Sequence, residues 1–191
     1  MKSDNDRPSE PNDYFMGIAI AVRERANCLG SRIGAVIVRD GRIISTGYYG
    51  TPEGMLNCLD GGCHRCSNRG KQYQSGEAYD VCICVHAEQN ALLSAARFGI
   101  AVEGSTLYTT TRPCFGCTKE MLQAKIKTVF YIHEWLPANP NTHSQYYRIQ
   151  TELDLRRLDI PDPRSDWAAP KRTTIASEAS EAIDEHGIQE I

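Results

Sequence analysis

The sequence predicts an α/β protein, a parallel or mixed sheet covered by helices. Short β-branched runs at residues 33–38, 43–48, 105–111 and 128–132 supply strands. Between the later runs lie stretches of helical spacing, and strand–helix–strand alternation of this kind builds such sheets. The length, 191 residues, suits one domain with tails.

Taken in order, residues 1–12 are polar and read as a mobile N-terminal tail. The domain is expected over 13–160. Asp13 is placed as the N-cap of a helix over residues 14–26, whose apolar Phe15, Ile18, Ala19 and Val22 line one face toward a core. Residues 33–38 form a strand, Arg39-Asp40-Gly41-Arg42 supplies an Asp-Gly turn, and residues 43–48 return as its hairpin partner. An irregular loop follows, marked by Gly50, Pro52 and Gly54. A helix opens at His86 and is stopped by Gly99. The strand at 105–111 delivers Arg112 and Pro113 to a second helix, 114–124, and residues 128–132 add a strand. A last helix is placed over 144–158. From 161 to 191 the chain is rich in Pro, Ser, Glu and Asp and is expected to be a disordered tail.

Composition narrows the function. With 21 Lys and Arg against 24 Asp and Glu the formal charge is −3, so nothing favours polyanion binding by the surface as a whole. No apolar run approaches the roughly 18 residues of a membrane span, and the first residues lack the apolar region of a signal peptide. Eight cysteines without an export signal point to metal ligation in a reducing cytoplasm rather than to disulfides.

The chemistry concentrates in His86-Ala87-Glu88 and Pro113-Cys114-Phe115-Gly116-Cys117. An imidazole and two thiolates give Zn²⁺ three protein ligands, the catalytic count, with the fourth tetrahedral position open for water. Cys114 and Cys117 stand at i and i+3, so one helical turn aims both sulfurs the same way, and a helix N-terminus favours thiolate. Glu88 can stand beside the metal without binding it and shuttle protons. The combination of H-x-E with P-C-x-x-C is the signature of zinc-dependent nucleobase deaminases. A purely structural zinc knuckle would leave Glu88 idle and the ion one ligand short.

Residues 57–84 are rich in Gly and polar residues and bury little apolar surface. The segment therefore needs a clamp, and a second, structural zinc is expected on four of Cys28, Cys58, Cys63, Cys66, Cys82 and Cys84. Cys63-x-x-Cys66 and Cys82-x-Cys84 are each chelating pairs, and the alternative is that some are buried free thiols.

These residues carry a resemblance. Over roughly 14–135 the chain is similar to the deoxycytidylate (dCMP) deaminase branch of the cytidine deaminase-like superfamily. The stretch from Gly34 to Tyr48, the run from His86 to Leu92 and the metal helix from Pro113 to Cys117 match. The resemblance implies a three-layer α/β/α sandwich with a five-stranded mixed sheet, and hydrolysis of dCMP to dUMP and ammonia. It also implies homo-oligomers, often hexamers, activated by dCTP with Mg²⁺ and inhibited by dTTP. In some relatives the second zinc uses positions matching Cys28, Cys58 and Cys84. Backbone around Ala87 and the strand end near Thr110 are implied to hold the pyrimidine edge. Where the family reads Gly-Tyr-Asn-Gly this chain has Gly47-Tyr48-Tyr49-Gly50, so a sugar-facing amide is replaced and Tyr49→Asn is expected to improve turnover. Arg112 and Arg32 are candidates for the substrate phosphate.

Three alternatives stay open. One is a deaminase of another free cytosine nucleoside or nucleotide. Another is a tRNA adenosine deaminase, which wants a basic surface that the acidic residues after 161 oppose. The last is a catalytically silent zinc-stabilised binding module, favoured by Tyr49 and opposed by Glu88.

Overall fold

The computed structural model describes residues 9–73 and 78–168. Helix α1 spans Pro11–Val22 and tightens into a 3₁₀ turn at Arg23–Arg25. Strands β1 (Gly34–Arg39) and β2 (Arg42–Tyr48) form the expected hairpin, and the turn residues Asp40 and Gly41 both take positive φ, the type I′ signature. A one-turn helix α2 (His64–Ser67) stands in the cysteine-rich segment. Then follow α3 (Ala87–Arg97), β3 (Thr106–Thr111), α4 (Phe115–Gln123), β4 (Thr128–His133), α5 (His143–Gln150) and β5 (Asp154–Arg157).

The strands make one mixed sheet in the order β2-β1-β3-β4-β5. β1 runs antiparallel to β2 and β3, and β4 runs parallel to β3 and β5. Strand periodicity divides the core between the two faces. Ala35, Ile37, Leu107 and Val129 pack with Ala87, Ala91 and Met121 of α3 and α4. Val36, Val38, Tyr108, Phe130 and Ile132 pack with Phe15, Met16 and Ala19 of α1. Helices thus cover both faces, the expected three layers. Gly47 lets α3 close on β2, for a Cβ there would stand 2.1 Å from the Ala87 carbonyl oxygen. Among the described residues no helix is long and apolar enough to cross a membrane.

Three boundaries differ from expectation. α1 starts at Pro11, so Asp13 lies in its first turn and favours the helix through the dipole rather than as a cap. The single helix expected over 144–158 ends at Gln150, and the chain returns as β5. Leu153 and Leu155 sit two apart, a strand period, and both pack against the α3/α4 core. Residues 161–168, expected to be part of the tail, are packed on the domain. Asp162 accepts from the buried Arg23 guanidinium at 2.6 and 2.7 Å and pairs with His133 Nε2 at 2.5 Å. Trp167 is buried, with the guanidinium groups of Arg23, Arg32 and Arg164 over its ring. An ion pair and one indole hold residues 161–168 on the domain; residues 1–8 and 169–191 lie outside the described residues.

Candidate active site

His86 and Cys114 are the N-cap residues of α3 and α4. The start of α3 is fixed by the His86 backbone N–H, which donates to Gln89 Oε1 at 3.0 Å. The start of α4 is fixed from α5, where Tyr146 Oη and Gln150 Nε2 both donate to the Pro113 carbonyl at 2.8 and 3.1 Å. His86 Nδ1 then lies 3.3 Å from Cys114 Sγ and 3.4 Å from Cys117 Sγ. Zinc–nitrogen and zinc–sulfur bonds of roughly 2.0 and 2.3 Å set a tetrahedral N···S edge of about 3.5 Å, so the three side chains fit this ion as they stand. Burial disfavours a charged His86 ring, but the Cys114 sulfur beside it outweighs burial and pushes its pKa up to about 9. The same lone pair is the one a metal would take.

Glu88, on the first turn of α3, is 2% exposed. Its Oε1 accepts from Thr109 Oγ1 at 3.1 Å and its Oε2 lies 3.5 Å from Cys117 Sγ. Burial raises the carboxyl pKa, and the His86 ring opposes only part of that rise. The result is a carboxyl group whose affinity for a proton is raised by burial, beside a three-ligand metal set.

His86, Glu88 and Cys114 line a cavity of about 420 Å³. Tyr49 and Arg112, both expected at the site, line it. So do residues the sequence did not single out: Arg65, Arg69 and Tyr79 from the cysteine-rich segment, His133 at the end of β4 and Trp135 beyond it. Arg112 is held by Gln150 Oε1 at 2.8 Å and Glu134 Oε2 at 3.0 Å. Arg65 is 2% exposed; burial works against its charge, but the Cys66 and Cys82 sulfurs more than restore it. Nothing in the spacing of Arg65 and Arg69 announces a cavity wall, because long-range packing of the cysteine-rich segment places them.

Two expected contacts fall elsewhere. Thr110 is turned to the α1 side of the sheet by strand alternation, where its Oγ1 accepts from the Gly34 N–H at 3.3 Å. Its neighbours Thr109 and Thr111 face the site instead. Arg32 lies over Trp167, 4.4 Å from the ring centroid, and does not line the cavity. Ala87, expected to act through its backbone, opens α3 with its side chain buried in the core.

Beside this site all six remaining cysteines converge. Sγ atoms of Cys28, Cys58, Cys66 and Cys84 lie within 4.8 Å of one another, and so do those of Cys63, Cys66, Cys82 and Cys84. Tyr49 joins the two regions. It is buried in the cysteine cluster, and its ring centroid lies 4.6 Å from that of His86.

Residues 9–133 match the model of the cytidine and deoxycytidylate deaminase zinc-binding region. The deoxycytidylate deaminase of Schizosaccharomyces pombe is 44% identical over 156 residues, covering 82% of this chain and 46% of that one. The deoxycytidylate deaminase of Saccharomyces cerevisiae is 40% identical, covering 76% and 41%. The chain therefore spans less than half the length of these curated relatives. The crystal structure of dCMP deaminase from the cyanophage S-TIM5 in complex with dCMP and dUMP superposes with a TM-score of 0.59 at 27% identity, covering 80% of this chain and 99% of that one. With its His86, Cys114 and Cys117 set, its adjacent Glu88 and two thirds of its length inside the matched region, the chain belongs to the cytidine and deoxycytidylate deaminase family.

Proposed function

We propose that the chain catalyses the hydrolytic deamination of dCMP to dUMP with release of ammonia. The observation that carries this reading is the buried Glu88 carboxylate beside the His86, Cys114 and Cys117 set, in a cavity walled by arginines. Zinc held by those three residues supplies Lewis acidity that makes water acidic near neutral pH. Glu88 takes one proton from the attacking water at Oε2 and delivers it to ring N3 as the water oxygen bonds C4; it then takes the second proton from that oxygen and gives it to the C4 amine, which leaves as ammonia as the C4–N bond breaks. Thr109 holds Oε1, so the other oxygen is the one that works. We assign the pyrimidine edge to the backbone beside Ala87 and to Thr111, in place of Thr110. Arg65, Arg69 and Arg112 supply the positive field for a monophosphate, whereas Arg32 stacks on Trp167 and is not among the lining residues.

The named relatives support a nucleotide substrate, since the cyanophage enzyme was crystallised with dCMP and dUMP. The family resemblance adds dCTP with Mg²⁺ as activator, dTTP as inhibitor and assembly into homo-oligomers. Exposed Leu93, Phe98 and Leu136 offer apolar surface for that assembly. The deciding experiment incubates the purified protein separately with dCMP, cytidine and dCTP and follows ammonia release. The highest kcat/KM is expected for dCMP; a preference for cytidine or dCTP would overturn the assignment.

A further inference from the structure

We propose that the six-cysteine cluster is a binuclear zinc centre in which Cys66 and Cys84 bridge two ions. The inference is independent of the reaction assigned above. It starts from sulfur separations: Cys28 to Cys66 is 3.9 Å, and Cys63 to Cys82 and Cys66 to Cys82 are each 3.8 Å. A disulfide would need about 2.05 Å. A tetrahedral zinc with bonds of about 2.3 Å sets an S···S edge near 3.8 Å. The sulfurs stand at the metal-binding distance, with no disulfide among them.

The choice of one ion or two follows from ligand arithmetic. Each four-sulfur set suits one tetrahedral ion, and the sets share Cys66 and Cys84. One ion on the first set strands Cys63 and Cys82 against its thiolates. One ion on the second strands Cys28 and Cys58, which are 2% and 0% exposed. Two four-coordinate ions need eight ligand positions. Six sulfurs supply eight when two of them bridge. Cys28 and Cys58 then close one ion, Cys63 and Cys82 the other.

Six thiolates and two Zn²⁺ leave a net charge of −2, and the surroundings are built to meet it. The Gly30 and Leu29 N–H groups donate to Cys28 Sγ and Cys58 Sγ, each at 3.3 Å. The buried Arg65, a fixed positive charge, directly precedes Cys66. Such outer contacts orient thiolate ligands and hold their charge. The cluster also stands where a core should be. Apart from Ala26 and Tyr49, every fully buried apolar residue of this region is a cysteine. Metal binding there is folding free energy for the segment that carries Arg65 to the cavity wall.

The test uses the purified full chain after a wash with a weak chelator. Elemental analysis and native mass spectrometry are expected to give three zinc ions per chain, one for the His86 set and two for the cluster. Zinc X-ray absorption is expected to show a metal–metal vector of about 3 Å, the separation of tetrahedra sharing a sulfur edge. Cys28→Ser and Cys63→Ser, which lie in different sets, are each expected to erase that vector and lower the zinc count. A single-ion site would leave the count unchanged in one of the two. Any count below three in the wild type, or three ions without the vector, overturns the proposal, and this reading does not depend on either variant folding.

Discussion

Two sulfur-rich clusters meet where Cys84 and His86 stand two residues apart, and the fold builds them in opposite ways. The His86, Cys114 and Cys117 set rests on the caps of two helices whose positions the sheet and the α3/α4 core already fix. It offers three ligands and has a buried carboxylate within 3.5 Å of one of them. The six-cysteine cluster rests on loops and one helical turn, and its two ligand sets contain cysteine alone. The contrast teaches that ligand type does not separate a reactive centre from a scaffold. Ligand count does, together with an acid held where a proton must move.

The sharpest way to break that contrast is Glu88→Gln. It is expected to lower kcat by about 10²–10⁴-fold, since an amide cannot carry the proton, with zinc content and melting temperature unchanged. Activity within about threefold of wild type would remove the acid from the account. Next is Asp162→Asn, which tests whether the scaffold reaches the cavity from a third direction. Arg23 is fully buried and would lose its partner, so unfolding free energy is expected to fall by about 3–5 kcal/mol in denaturant titration. Burial alone would raise the Asp162 pKa, but the Arg23 guanidinium and the His133 ring hold it well below the usual carboxylate range. The stabilisation is therefore complete above the unfolded pKa and is lost as pH falls toward the depressed native value. The gap between wild type and variant is expected to narrow below about pH 4 and to be flat near neutrality. A gap independent of pH would show that the ion pair does not stabilise.

Tyr49→Asn addresses the joint between the clusters. Set against its family, Tyr49 looks like a misplaced sugar contact whose replacement improves turnover. Its burial between the cysteines and the His86 ring reverses that expectation. The variant is expected to lose about 3 kcal/mol of stability through the cavity it leaves, and to lower kcat/KM for dCMP. A rise in kcat/KM at unchanged melting temperature would restore the reading from sequence. The smallest effect is assigned to Thr109→Val. Loss of one hydrogen bond to the carboxylate is worth about 1 kcal/mol and is expected to cost roughly tenfold or less in kcat. No change in kcat would leave Glu88 oriented by its helix alone.

Much of this was legible because chemistry and periodicity coincide in the sequence. The H-x-E and P-C-x-x-C spacings fix their ligands through local helix geometry, so no tertiary knowledge is needed to find His86, Glu88, Cys114 and Cys117. The hairpin was legible for the same reason, since Asp40-Gly41 states its turn. β5 was hidden because Asp154, Arg156 and Arg157 expose a charged face, leaving only Leu153 and Leu155 to mark the strand. Arg65, Arg69 and Trp167 were invisible because long-range packing places them, and no local spacing encodes a cavity wall or a docking indole. Thr110 was missed by one residue, which in a strand is the whole distance between its two faces.

The segment after β5 has one practical consequence. The chain has two tryptophans. Trp135 lines the cavity, whereas Trp167 lies under three guanidinium groups on the docked segment and takes no part in the lining. The two indoles are therefore separate optical reporters. Trp135 emission is expected to respond to ligand entry and Trp167 emission to release of the docked segment, with replacement of either by phenylalanine leaving the other to be read alone.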